Sequence, residues 1–95
     1  MSADPVTYHY RRDVLEQLCR HGVQPRPTTA PELVYEFVKD LYRYELRRLR
    51  ARLVHGEIAK TGYYNHVVEL RRQYPLVSLQ AREWVEPQAA TIEPG

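Results

Sequence analysis

No glycine or proline interrupts the sequence between Pro31 and Gly56, and this feature constrains the fold more than any other. Glycine and proline break helices most strongly, so their absence favours one continuous helix. The preceding Thr29-Ala-Pro-Glu32 is a capping-box pattern, with Thr29 as the N-cap and Glu32 as its reciprocal partner. We therefore predict a long central helix over about residues 30–55, ended by Gly56.

A shorter helix is predicted before the long one, beginning near Arg11 and stopping at Gly22. Its apolar residues share one helical face and are Val14, Leu15, Leu18 and Cys19. We interpret Cys19 as a small core residue on that face. Pro25 and Pro27 then forbid a continuous helix, so the stretch that follows is predicted to be an extended connector.

A third helix is predicted after Gly56, because apolar residues recur on one helical face until Pro75 ends the pattern. These residues are Tyr63, Val67, Leu70 and Tyr74. Two helices joined by a short glycine-containing connection most simply form an antiparallel hairpin. A further short helical piece follows, with Ser78 as its cap and Leu79 and Trp84 as its apolar contacts. The sequence therefore predicts an all-α fold with one long central helix and two to three shorter ones.

The two ends of the chain are predicted to lie outside this helical domain, which spans residues 11–86. Asp4 before Pro5 fits the start of a helix, whereas the alternation of apolar and polar residues just after them is strand spacing. Residues 1–10 are therefore expected to be flexible or extended, with helix or strand left open. Residues 87–95 are expected to form a disordered tail.

Composition and charge place the chain among ordinary folded domains. Its 95 residues are 43% hydrophobic and 27% charged, and the formal net charge is +2. The single cysteine cannot form an intramolecular disulfide and fits a reducing compartment. No apolar run approaches the roughly 18–20 residues that a membrane span needs, and the N-terminus lacks a signal-peptide pattern. We expect a soluble, cytoplasmic protein that does not bind membranes.

No catalytic, metal or cofactor site is predicted. The short motifs of phosphate loops, serine nucleophile elbows, zinc-binding helices and calcium loops are missing from the sequence. Cys19 and His21 form a lone C-x-H pair without a second pair at metal-ligand spacing. We expect a non-catalytic protein without a cofactor or an evident small-molecule substrate. An enzyme, or an enzyme subunit, without a recognisable motif remains an alternative.

The apolar face of the long helix changes direction near Tyr42. At about 100° per residue, one strip in the first half comprises Val34, Phe37, Val38 and Leu41. A second strip, rotated by nearly a quarter turn, comprises Tyr35, Tyr42, Leu46, Leu49 and Leu53. We expect the first strip to contact the first helix. The second strip is expected to contact either the third helix or a second subunit.

The aromatic residues favour a role in protein association. Eight tyrosines and one tryptophan are many for so small a core, and tyrosine and arginine are enriched at protein interfaces. A protein partner, or a second copy in a homodimer, is therefore predicted to contact Tyr35, Tyr42, Leu46, Leu49, Leu53, Tyr63 and Trp84. The alternative is that the tyrosines cover an intramolecular core and keep their hydroxyls in water.

The arginines of the long helix divide into two sets. One set lies opposite the second apolar strip and comprises Arg43, Arg47 and Arg50. These side chains are predicted to contact phosphates or an acidic partner, so nucleic-acid binding is the alternative function. The second set, Arg48 and Arg52, lies beside Glu45. We predict an ion pair among these three residues, either exposed or partly buried and selective for a register or a partner.

Overall fold

The structure is a computed structural model that describes residues 6–86, and within this range the protein is all-α, as predicted. Three α-helices are followed by two short 3-10 helices, and the order is α1 (Arg12–Arg20), α2 (Pro31–Val54), α3 (Lys60–Arg72), η1 (Pro75–Ser78) and η2 (Ala81–Trp84). The predicted long helix is confirmed. The predicted tail, residues 87–95, lies outside the described residues, as does the possible cap at Asp4 and Pro5.

The long helix α2 begins without the predicted capping box. Pro31 is its first residue, where the missing N–H costs no helical hydrogen bond. The carbonyl of Ala30 accepts a hydrogen bond from the backbone N–H of Leu33 at 3.1 Å. The hydroxyl of Thr29 accepts from the backbone N–H of Arg26 at 3.0 Å. Thr29 therefore closes the turn before α2, and the prediction of a Thr29 cap is wrong.

The two predicted glycine stops are confirmed. Gly22 and Gly56 have φ values of 75° and 76°, in the left-handed region that glycine adopts without a steric penalty. After α2, the N–H of Gly56 donates to the carbonyl of Leu53, and the N–H of Glu57 donates to that of Arg52. This pair of bonds is the Schellman motif, which satisfies carbonyls that the helix end leaves free. The same pattern ends α1.

The chain divides into two compact units, of which the first combines residues 6–34 with residues 79–86. Its lead-in is extended and is tied down by backbone hydrogen bonds. Tyr10 forms an antiparallel bridge with Val85, and the N–H of Arg11 donates to the carbonyl of Trp84 at 2.9 Å. Residues 6–10 therefore adopt the extended alternative, because η2 and the residue after it offer them backbone partners.

The buried side chains of the first unit come from three elements and are Val14, Leu18, Pro31, Val34 and Trp84. Only two positions of the predicted α1 face are among them. Leu15 is 39% exposed, and Cys19 is an exposed free cysteine. The prediction of a core role for Cys19 is wrong, because α1 buries Val14 and Leu18, and Cys19 lies about 100° around the helix from Leu18.

The second unit, residues 35–78, contains the predicted antiparallel helical hairpin. The rings of Tyr42 and Tyr74 lie 5.3 Å apart at an angle of 52°, which is favourable tilted packing. The hydroxyl of Tyr35 donates to the carbonyl of Val77 at 3.3 Å. The buried side chains of this unit are Val38, Leu49, Tyr74 and Leu76. Within the described residues, no helix is both long enough and apolar enough to cross a bilayer.

Candidate partner-binding surface on the long helix

The residues predicted to contact a partner serve mainly to pack the chain itself. Trp84 is completely buried and Leu49 is only 8% exposed, so neither side chain presents a surface to a partner. The other members of that set are half-buried, and they are Tyr35, Tyr42, Leu46, Leu53 and Tyr63. Any contact of these five with a partner remains a prediction.

Two aromatic side chains that were not in the predicted set are strongly exposed on α2. Phe37 is 56% exposed and Tyr44 is 52% exposed. Phe37 was expected on an apolar strip together with Val34 and Val38, and it is not buried with them. The helix buries Val34 and Val38 instead. Phe37 lies some 60° or more around the helix from both of them, so it points away from the buried line.

These aromatic residues belong to a continuous side of α2, which we call the outer face. It consists of Phe37, Leu41, Tyr44, Arg48 and Ala51, which follow one another in steps of four, three, four and three. This alternation is the spacing of a heptad seam, which brings one side of a helix against another helix. Leu41 is half-buried and the other four residues are exposed. Phe37 and Tyr44 therefore lie open to solvent on the outer face, with half-buried Leu41 between them.

Some charged side chains at the outer face are in weak, exposed contacts or have no ionic partner within the described range. The guanidinium of Arg48 lies 5.9 Å from the centre of the Tyr44 ring, within the range of a cation–π contact. Asp40 lies 3.8 Å from Arg43, and both side chains are largely exposed. Among the described residues, no carboxylate lies within 4.0 Å of Arg47. Exposed pairs of this kind contribute little to stability, so these charges can form new contacts.

A cleft of about 280 Å³ opens between α2 and α3, beside the outer face. Most of its lining is charged or polar, and comprises Glu45, Arg48, Arg52, His66, Glu69 and Gln73. The three residues predicted to form an ion pair are therefore brought to one cleft. Arg48 belongs to both the cleft and the outer face.

The predicted ion pair of Glu45 is nevertheless not formed. Arg52 reaches the connection after α2, where its Nε lies 3.7 Å from a carboxylate oxygen of Glu57. Arg48 turns back towards the Tyr44 ring. Among the described residues, no basic side chain lies within 4.0 Å of the Glu45 carboxylate. The helical spacing allowed the pair, but each arginine has another partner within reach.

Glu45 instead influences a tyrosine across the hairpin. The pKa of Tyr74 is raised, mainly because the side chain is buried and secondarily because the negative charge of Glu45 disfavours the tyrosinate. The phenol therefore stays protonated to a higher pH than a free tyrosine. Sequence spacing on α2 gave no indication of this contact, because it joins residues from two different elements.

Of the first arginine set, which comprises Arg43, Arg47 and Arg50, only part is without an acidic partner within residues 6–86. Arg43 lies 3.8 Å from Asp40, whereas Arg47 and Arg50 are exposed and, among the described residues, have no acidic partner within 4.0 Å. The second unit has nine lysines and arginines against five acidic residues, a net charge of +4, compared with +2 for the whole chain. The positive charge is therefore concentrated in the hairpin.

In the described part of the chain, no cluster of three or more histidine, cysteine, aspartate or glutamate side chains could hold a metal ion. Cys19 and His21, the lone C-x-H pair, lie at the end of α1. Comparisons with known protein families, curated proteins and solved structures give no match.

Proposed function

We propose that this protein is a non-catalytic association module that binds another protein chain through the outer face of α2, as a homodimer or as an adaptor. The observation that carries the proposal is the pair of half-exposed aromatic rings, Phe37 and Tyr44, on one side of a 24-residue helix. Most surface apolar residues are isolated and need no explanation, but these two lie on one seam at helix-pairing spacing.

The energetics favour burial of this face. Removing a phenylalanine side chain from water contributes about 1.5–3 kcal/mol, and Phe37 is 56% exposed, so roughly half of that gain is still available. Aromatic and arginine side chains are also the types that most often dominate interface affinity. The outer face combines Phe37 and Tyr44 with Arg48, and all three lie on a rigid helix. Little ordering entropy would therefore oppose their binding.

The test compares the wild-type chain with the double variant Phe37→Ser/Tyr44→Ser. Tyr64→Ser is the matched control, because Tyr64 is a 73% exposed aromatic residue on α3. Self-association is measured by sedimentation over a concentration series, and partner capture is measured with immobilised chain. We expect the double variant to lose association at least tenfold with unchanged helical content by circular dichroism, and the control to keep it. If no association depends on these two residues, the proposal is refuted.

Nucleic-acid binding is the second candidate, and the concentration of positive charge in the hairpin favours it. Exposed arginines without carboxylate partners, such as Arg47 and Arg50, are suited to phosphate contacts. For binding of this kind, the logarithm of the association constant should fall linearly with the logarithm of the salt concentration. The gradient of that line is the salt slope.

The experiment for this candidate is a salt titration of binding to single- and double-stranded nucleic acid. Arg47→Gln/Arg50→Gln should reduce the salt slope by about two. Arg12→Gln, which removes one exposed arginine from the first unit, should leave the slope unchanged. A weak affinity that does not respond to salt excludes this function.

A further inference from the structure

We infer that the chain seated on the outer face is a second copy of this protein, with the two α2 helices antiparallel. The inference rests on the proposed function and specifies its partner. The seam residues Phe37, Leu41, Tyr44, Arg48 and Ala51 follow the four-three alternation of a heptad repeat. A two-fold axis that crosses this seam between Leu41 and Tyr44 makes the same face serve both chains, as in most homodimers.

The register follows from the seam. In an antiparallel pair, a residue that ends a four-residue step, such as Leu41, faces a residue that ends a three-residue step, such as Tyr44. The side chains of successive layers therefore interdigitate. Placing the axis between positions 42 and 43 sets Leu41 against Tyr44 of the partner subunit, twice. The next layer sets Phe37 against Arg48 of the partner subunit, where a guanidinium can stack on the ring. The two Leu41–Tyr44 layers thereby form an apolar centre, and a Phe37–Arg48 contact lies on each side of it.

The charges beside the seam agree with this arrangement. Asp40 and Arg47 occupy the same edge of the outer face, seven residues apart. Antiparallel pairing brings Asp40 beside Arg47 of the partner subunit, and the symmetry provides this contact twice. Both side chains are exposed, and Arg47 has no carboxylate within 4.0 Å among the described residues. Opposite charges at these flanking positions favour the pairing.

A parallel pair is opposed by the same residues. In a parallel, in-register pair, a residue on one edge of the seam lies beside a residue on the opposite edge of the partner helix. That partner residue is five positions later in the sequence. Asp40 would then face Glu45 of the partner subunit, and Arg47 would face Arg52 of the partner subunit. Both contacts bring like charges together. Such repulsion selects against the wrong orientation, while the attraction in the antiparallel pair selects for the right one.

The interface is expected to be small. From Phe37 to Arg48, the outermost paired residues, the seam covers eleven steps of about 1.5 Å, or roughly 16 Å. Two helices in contact over so short a length bury less than the roughly 800 Å² per chain that is typical of stable dimers. Self-association should therefore depend on concentration in an accessible range, and changes in charge at its edge should be measurable.

The decisive experiment exchanges the charges. Asp40→Arg gives a chain with two positive edge residues, and Arg47→Asp gives a chain with two negative ones. Each variant alone should self-associate about tenfold more weakly than the wild type, because two attractive contacts become repulsive. The double variant Asp40→Arg/Arg47→Asp should recover wild-type association. An equimolar mixture of the two single variants should form a heterodimer, detected by sedimentation with one chain fluorescently labelled.

Controls separate this register from general charge effects and from misfolding. Arg43→Gln removes the intrachain partner of Asp40 at 3.8 Å, which leaves Asp40 free for the partner subunit, and should not weaken association. Helical content by circular dichroism should be the same for all variants. If neither the mixture nor the double variant associates better than the single variants, the antiparallel register is overturned.

The measurements distinguish failure of the homodimer from failure of the outer face as a binding surface. A wild-type chain that stays monomeric at every concentration, yet captures another protein through Phe37 and Tyr44, overturns the homodimer alone. A dimer that forms equally well in Phe37→Ser/Tyr44→Ser overturns the assignment of the outer face itself. Recovery of association in the mixed variants supports both.

Discussion

The hydroxyl of Tyr10 holds the extended lead-in against the connector before α2, and Tyr10→Phe removes only that hydroxyl. It donates a 2.6 Å hydrogen bond to the carbonyl of Thr29 in a part-buried environment. A hydrogen bond of this type contributes about 0.5–1.5 kcal/mol, and water can partly replace it at a half-buried carbonyl. We expect Tyr10→Phe to lower the free energy of unfolding by about 1 kcal/mol near pH 8. For a domain of this size, the melting temperature should fall by about 4–8 °C.

The same substitution should also change how stability depends on pH. Burial, with smaller contributions from Glu32 and Tyr8, raises the pKa of Tyr10 from 10.0 to about 12. Between these values the unfolded chain has lost the phenolic proton while the folded chain keeps it. Raising the pH therefore favours unfolding, so the stability present below pH 10.0 is lost as the pH rises to about 12. At about pH 11 the loss is at most about 1.4 kcal/mol, and about 1 kcal/mol after allowance for partial solvent exposure of the ring.

Urea unfolding of the wild type and of Tyr10→Phe, followed by circular dichroism from about pH 8 to pH 11, tests both parts. The difference in unfolding free energy should be about 1 kcal/mol at the lower pH and should nearly vanish at the higher one. Comparing the two proteins cancels the alkaline titration that they share, including that of Tyr74. Tyr64→Phe, on a 73% exposed ring, is the control. If the difference in unfolding free energy stays constant across this pH range, burial does not raise the pKa of Tyr10.

Further predictions concern stability and reactivity. Trp84→Ala should cost about 3–5 kcal/mol by urea unfolding, because the side chain is completely buried; a cost below about 1 kcal/mol would contradict that burial. Gly22→Ala should destabilise the protein by about 1 kcal/mol, since φ is 75° there. Gly62→Ala, at a helical site with open space around it, should instead stabilise by roughly 0.5 kcal/mol in the same assay. The thiol of Cys19 should react with a maleimide in the folded protein nearly as fast as in urea, since the side chain is exposed. Cys19→Ser should change the melting temperature little, and slow labelling would contradict its exposure.

The helix boundaries could be predicted from the sequence because local chemistry determines them. Pro31 can start a helix but cannot continue one. Gly22 and Gly56 end helices because they adopt a left-handed conformation that other residues avoid. These effects act over four or five residues and do not depend on the rest of the fold. The short connection between α2 and α3 likewise made the antiparallel hairpin predictable.

The candidate surface could not be predicted in the same way. Helical periodicity shows which residues share a side of a helix, but not how much of that side a neighbour covers. Phe37 lies next to the buried line of Val34 and Val38 in projection, yet it is more than half exposed. Cys19 stands in the same relation to Leu18 on α1.

Sequence patterns also could not predict contacts between distant parts of the chain. Glu45 has arginines at suitable helical spacing, but Arg52 lies closer to Glu57 in the following connection. The effect of Glu45 on Tyr74 requires the position of a different element. Side-chain choice among competing partners follows from the folded geometry and not from spacing alone.

The bridge between Tyr10 and Val85 has a consequence for the order in which a newly synthesised chain can acquire structure. The partners are 75 positions apart, and the whole sequence of the second unit, residues 35–78, is translated between them. The hairpin is contiguous and can collapse while translation continues. Tyr10 and Arg11 are translated earlier, but their backbone partners Val85 and Trp84 are made only after the second unit. The extended lead-in is therefore among the last parts of the first unit to gain its backbone partners, although it is translated before the hairpin.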